Sequence, residues 1–111
     1  MSLDDDGLLR RQKLFLQQVE FDLRRINREV IHERIPELNK ESFVRFASFV
    51  AETRARYLRA ALAVSQTPSG SSEAELLLQT LRHEREAFEE SKSAFAALER
   101  AIEQGYVDLK M

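Results

Sequence analysis

Only two places in this chain can stop a helix firmly, and their positions decide what it can fold into. The first is Ile35-Pro36-Glu37-Leu38-Asn39 and the second is Thr67-Pro68-Ser69-Gly70-Ser71-Ser72. Proline fixes its own φ, lacks an N–H and pushes the residue before it out of the helical region, so a helix reaching Ile35 has to end there. The second stretch is a loop by composition. Elsewhere the chain has nothing to interrupt a helix, since its three glycines are isolated at 7, 70 and 105. Leu, Phe and Ala dominate the apolar residues while Thr and Ile are few, which favours helix over strand.

The breaks leave three helical segments, about 7–34, 40–66 and 73–104, followed by a short tail, 105–111. Asn39 is placed to cap the second helix. Ser72, with Glu75 three residues on, reads as a capping box opening the third. Gly105 fits the left-handed position that closes it. The run Asp4-Asp5-Asp6 reads as a lead-in without structure, of some benefit near a helix N-terminus.

Each segment repeats its apolar residues at helical spacing. The first carries Leu9, Leu16, Val19, Leu23, Ile26 and Val30; the second Phe43, Phe46, Ala47, Val50, Tyr57, Leu58, Ala61 and Val64; the third Leu77, Leu81, Phe88, Phe95, Leu98 and Ile102. Short connections make neighbouring helices antiparallel. The expected fold is therefore all-α: one domain, 1–111, an up-down-up antiparallel three-helix bundle, with the first helix as a candidate dimerisation element.

Two charged residues interrupt these stripes. Arg54 falls on the apolar face of the second helix and Glu84 on that of the third. With the hairpin centred near Ser69 the two come out level. A charge buried alone is costly, so a structural ion pair between Arg54 and Glu84 is predicted.

The first helix also carries Glu29-Val30-Ile31-His32. Glu-x-x-His is the spacing with which di-metal carboxylate bundles aim two ligands at one ion. At about 100° per residue, Glu29 lies about 100° and His32 about 160° from the centre of the apolar stripe. Both point away from an intrachain core. The second Glu-x-x-His such a site needs is missing, because Thr80 stands three residues before His83. Surface residues are the plainer reading. The alternative is a metal-dependent bundle enzyme assembled across a homodimer, each copy adding Glu29, His32 and a further carboxylate such as Glu52.

The back of the first helix is more informative. Leu14, Phe21, Arg28 and Ile35 are spaced by seven, opposite the apolar stripe, and three of the four are large and apolar. A bundle helix is normally polar there, and an aligned apolar set marks a partner surface. Val44, Phe49 and Leu62 widen the apolar face of the second helix, and Ala87, Ala94 and Ala101 line the third at sevenfold spacing. Either feature suits further helix contacts. The tail from Tyr106 to Met111 is more apolar than a free end requires.

Other chemistry finds little support. There is no cysteine, hence no disulfide framework and no thiolate nucleophile or zinc site. No glycine-rich phosphate loop or nucleophilic serine motif is present. Net charge is −2; the nucleic-acid binder's basic excess is missing. Arg45, Arg56 and Arg59, and Arg10, Arg24 and Arg28, read as surface arginines with local carboxylate partners. No apolar run approaches the roughly 18–20 residues of a spanning helix. The acidic start MSLDDDG lacks the apolar core of a signal peptide, so a cytoplasmic location is expected. The function expected is that of a non-enzymatic protein–protein interaction module: an adaptor, a chaperone-like protein or a complex subunit. It would need no cofactor and engage neither nucleic acid nor membrane. Its partner would be another protein or a second copy, bound through Leu14, Phe21, Arg28 and Ile35.

Overall fold

Helices end at both expected breaks. The computed structural model describes residues 3–111, with α1 at Leu3–Arg34, β1 at Leu38–Asn39, α2 at Lys40–Ser65, α3 at Ser72–Glu103 and β2 at Leu109–Lys110. It is helical as expected, with one addition: the two-residue strands pair in a two-stranded ladder. α1 begins earlier than its sequence suggests. Asp5 and Asp6 are in its first turn, where unpaired N–H groups and the helix dipole favour carboxylates. The aspartate run is therefore helix, not lead-in.

The caps follow from side-chain chemistry. Asn39 Oδ1 accepts a hydrogen bond from the Ser42 N–H at 2.8 Å, as an N-cap should. For α3 the cap is Ser71, one residue before the serine expected. Its Oγ accepts from the Ala74 N–H at 3.1 Å, and its carbonyl accepts from the Glu75 N–H at 3.1 Å. α3 closes in a Schellman motif. Gly105 sits at φ +75°; its N–H donates to Ile102 O at 3.0 Å and the Tyr106 N–H donates to Ala101 O at 2.9 Å.

By packing the chain divides into two units. One is α1 through Leu38 with the segment Ala101–Lys110; the other is Asn39–Arg100 with Met111.

In the second unit α2 and α3 form an antiparallel hairpin. Phe43 and Phe46 both meet Phe95, with ring centroids 5.0 and 5.5 Å apart. Thr53 meets Ser91 at 2.7 Å, and Tyr57 stacks on Phe88 at 5.8 Å. Residue numbers rise along one helix as they fall along the other. Val50, Ala74 and Phe88 are buried, and so are the hydroxyl residues Thr53 and Ser91. Thr53 Oγ1 lies 2.8 Å from the Val50 carbonyl and Ser91 Oγ 3.0 Å from that of Phe88. Each hydroxyl thus has a backbone acceptor beside it as well as its neighbour's oxygen.

This register corrects the expected ion pair. Thr53 level with Ser91 puts Glu84 about two helical turns further along α2 than Arg54. Glu84 Oε2 instead lies 3.6 Å from Arg56 Nε. The Arg54 guanidinium stands 5.2 Å from the centre of the Phe88 ring, a cation–π contact at an exposed position. Composition locates a loop, but not how obliquely the chain crosses it.

In the first unit the C-terminal segment is fastened to the last third of α1. Arg28 donates from one guanidinium nitrogen to Gly105 O and from the other to Asp108 Oδ1, both at 2.7 Å. Asp108 Oδ2 lies 3.4 Å from His32 Nδ1, and the Leu38 N–H donates to Asp108 O at 2.9 Å. Lys110 Nζ lies 3.8 Å from Glu37 Oε1, and Val107 is buried. The apolar tail is therefore part of the fold.

Candidate functional site on the first helix

α1 is 32 residues long, about 48 Å at 1.5 Å per residue. It carries apolar side chains on two lines, and the structure treats both in an unexpected way. The stripe expected to face the bundle core is exposed. Leu9, Leu16, Leu23, Ile26 and Val30 are all open to solvent, Leu16 to 64%, and only Val19 is half-buried. Leu8 and Phe15 extend the same face and are exposed as well.

The line on the back divides in two. Leu14 and Phe21 are exposed, Phe21 to 70%, and border a shallow hollow with Gln17, Gln18 and Asp22. Arg28 turns toward the C-terminal segment. Its guanidinium donates to Gly105 O and Asp108 Oδ1, an intrachain role that its place on the back line did not suggest. Ile35 stands just beyond the end of α1 and is the least exposed of the four. The sequence reading missed Asp108, which organises this end of the molecule. Its one signal was an acid inside an apolar tail, between Val107 and Leu109.

Asp108 has an electrostatic consequence. The hydrogen bond from Arg28 holds its carboxyl below the ordinary value of 3.8, and the charges of Arg28 and His32 act in the same direction against an opposing desolvation.

The Glu-x-x-His pair does not form a site within the chain. Glu29 accepts from Arg25 at 3.4 Å on the helix surface, while His32 turns to Asp108. Among the described residues no group of three or more His, Cys, Asp or Glu side chains is arranged to hold a metal ion. Glu52 lies on α2, in the other packing unit.

Some of the other arginines have local carboxylate partners. Arg24 pairs with Glu20 at 3.0 Å and Arg45 with Glu41 at 3.1 Å, each one helical turn away. Arg59 shares a surface hollow with Arg56, Thr80 and Glu84. On α2 the flanking Val44, Phe49 and Leu62 are exposed. Ala87 and Ala101 are half-buried while Ala94 is exposed. Among the described residues no helix is long and apolar enough to cross a membrane.

No family model matches this chain, and comparison with curated proteins and with solved structures yields no match either.

Proposed function

We propose that this protein is a non-enzymatic interaction module whose docking element is α1. The observation that supports the reading is the distribution of exposed apolar side chains. α1 is 32 of 111 residues, yet it bears nine of the eighteen large apolar side chains exposed among the described residues. Scattered single residues of this kind are ordinary, whereas an aligned set along one helix is the pattern of a helix-in-groove or helix–helix contact. The partner is a protein, bound by apolar anchors inside a charged rim. The chain serves as an adaptor, a chaperone-like protein or a subunit.

The two lines of α1 are separable by mutation. Leu16→Glu places a charge in the broad stripe, and Phe21→Glu places one on the back line. Helix content by circular dichroism should stay unchanged in both, since each position is already exposed. Association, read by molar mass and by co-purification from the native cell, should be lost in at least one. Full association in both variants would overturn the reading.

A further inference from the structure

We propose that the occupant of the broad α1 stripe is the same stripe of a second copy, running antiparallel. This rests on α1 being the docking element. The argument comes from which charges flank the stripe. Leu9, Leu16 and Leu23 recur every seven residues, and Gln12, Val19 and Ile26 follow three later, the arrangement of a two-helix seam. The leucines and Ile26 are exposed and Val19 is half-buried. Reversing a second copy so that Leu16 lies opposite its Val19 also sets Leu9 opposite Ile26 and Leu23 opposite Gln12. Each layer occurs twice by symmetry; Gln12 is the single polar member between Leu9 and Ile26, and Val30 falls opposite Asp5, beyond these layers.

Lys13 and Glu20 decide the orientation and the register. They flank one edge of the seam, seven residues apart. In the register above, Lys13 comes opposite Glu20 of the second copy, and Glu20 opposite its Lys13. Sliding by one heptad in either direction sets Lys13 against Lys13 or Glu20 against Glu20, so the charges reject both slips. A parallel pairing turns the same two charges onto Leu8 and Phe15 of the neighbour, forms no ion pair, and stacks Gln12 on Gln12. The other edge of the antiparallel seam, with Leu8, Phe15, Asp22 and Glu29, supplies no attractive pair. Glu20 already accepts from Arg24 at 3.0 Å, and among the described residues Lys13 has no ion-pair partner within the chain. The second copy supplies one.

The test is a charge swap read by light scattering over a tenfold or wider concentration range. The unchanged chain should be a dimer. Lys13→Glu and Glu20→Lys should each weaken dimerisation about tenfold or more, because each change turns two attractions into two repulsions. The double variant K13E/E20K should restore it. Orientation is read from a spin label at Glu33→Cys, the only cysteine in such a chain. Antiparallel copies place the two labels ~45 Å apart along the seam, whereas parallel copies place them within ~15 Å. A monomer throughout, a dimer indifferent to the single swaps, a double variant that stays weak, or a short label distance would each overturn the proposal. Its failure is distinct from failure of the docking role. If the chain is monomeric but Leu16→Glu still abolishes co-purification with another protein, the second copy falls and α1 remains the docking element.

Discussion

The buried hydroxyl pair in the α2–α3 hairpin offers the sharpest test of how this hairpin is held. Thr53 is 0% exposed, and its Oγ1 lies 2.7 Å from Ser91 Oγ. Two hydroxyl protons are shared among three short contacts, to each other and to the carbonyls of Val50 and Phe88. Thr53→Val keeps the shape and removes the oxygen. Ser91 then retains its bond to Phe88 O, so no hydroxyl is orphaned, and the loss is one buried hydrogen bond, about 1 kcal/mol. A methyl carbon also cannot sit 2.7 Å from an oxygen, and the crowding adds roughly 0.5 kcal/mol. Ser91→Ala leaves Thr53 bonded to Val50 O and costs about 1 kcal/mol. In the double variant both partners are apolar and the crowding is gone. We expect it to cost about 1 kcal/mol rather than the sum of the singles, a coupling of about 1.5 kcal/mol. Urea unfolding followed by circular dichroism measures all four chains. Additivity within about 0.3 kcal/mol would refute the reasoning, because it would mean the two oxygens do not share a bond.

Three further outcomes follow from the packing and the tail. Phe88→Ala removes a buried ring that touches Tyr57, Arg54 and Lys92 and should cost about 3 kcal/mol in the same unfolding assay. Gly105→Ala forces a side chain into φ +75° and should cost about 1 kcal/mol, whereas Gly7→Ala, inside α1 with nothing near its added carbon, should stabilise by about 0.5–1 kcal/mol. Asp108 has a depressed pKa through Arg28, so its contribution is complete above the ordinary carboxylate value and is lost as pH falls through the lower folded value. Backbone relaxation at Tyr106–Lys110 should therefore show the tail loosening in acid, and Arg28→Ala should produce the same loosening at neutral pH.

The helices and their caps were legible because their signals are local. Pro36, Asn39, Pro68 and Gly105 act through their own backbone or that of the next turn, and nothing elsewhere in the chain competes with them. The hairpin register was not legible from the loop, although the core positions were written in the stripes. Phe46, Val50, Thr53 and Tyr57 share the 4-3-4 spacing of Glu84, Phe88, Ser91 and Phe95. Reading only the apolar members hid Thr53 and Ser91, and paired Glu84, which lies on this line, with Arg54, which stands exposed beside it. The intrachain role of Arg28 was hidden for a similar reason. A single arginine among apolar residues looks like a rim charge, until Asp108, eighty residues away, claims it.

The docking role proposed for α1 requires that the helix hold itself together with its apolar stripe exposed. A short helix with so little burial would be marginal in water, but this one runs for 32 residues, well past the roughly 12–15 at which nucleation ceases to dominate. Leu, Arg, Gln and Glu fill it, all good helix formers. The Glu20–Arg24 and Arg25–Glu29 pairs support its middle, and its first turn carries acids that suit the dipole. Its last third is anchored by the Arg28–Asp108 clasp and the Leu38 N–H. Local terms thus hold the helix before anything covers its stripe. A partner docking there need not supply the conformational entropy of folding it, and more of the apolar contact is left to appear as affinity. On the proposed docking role, local forces shape the helix and burial is reserved for association.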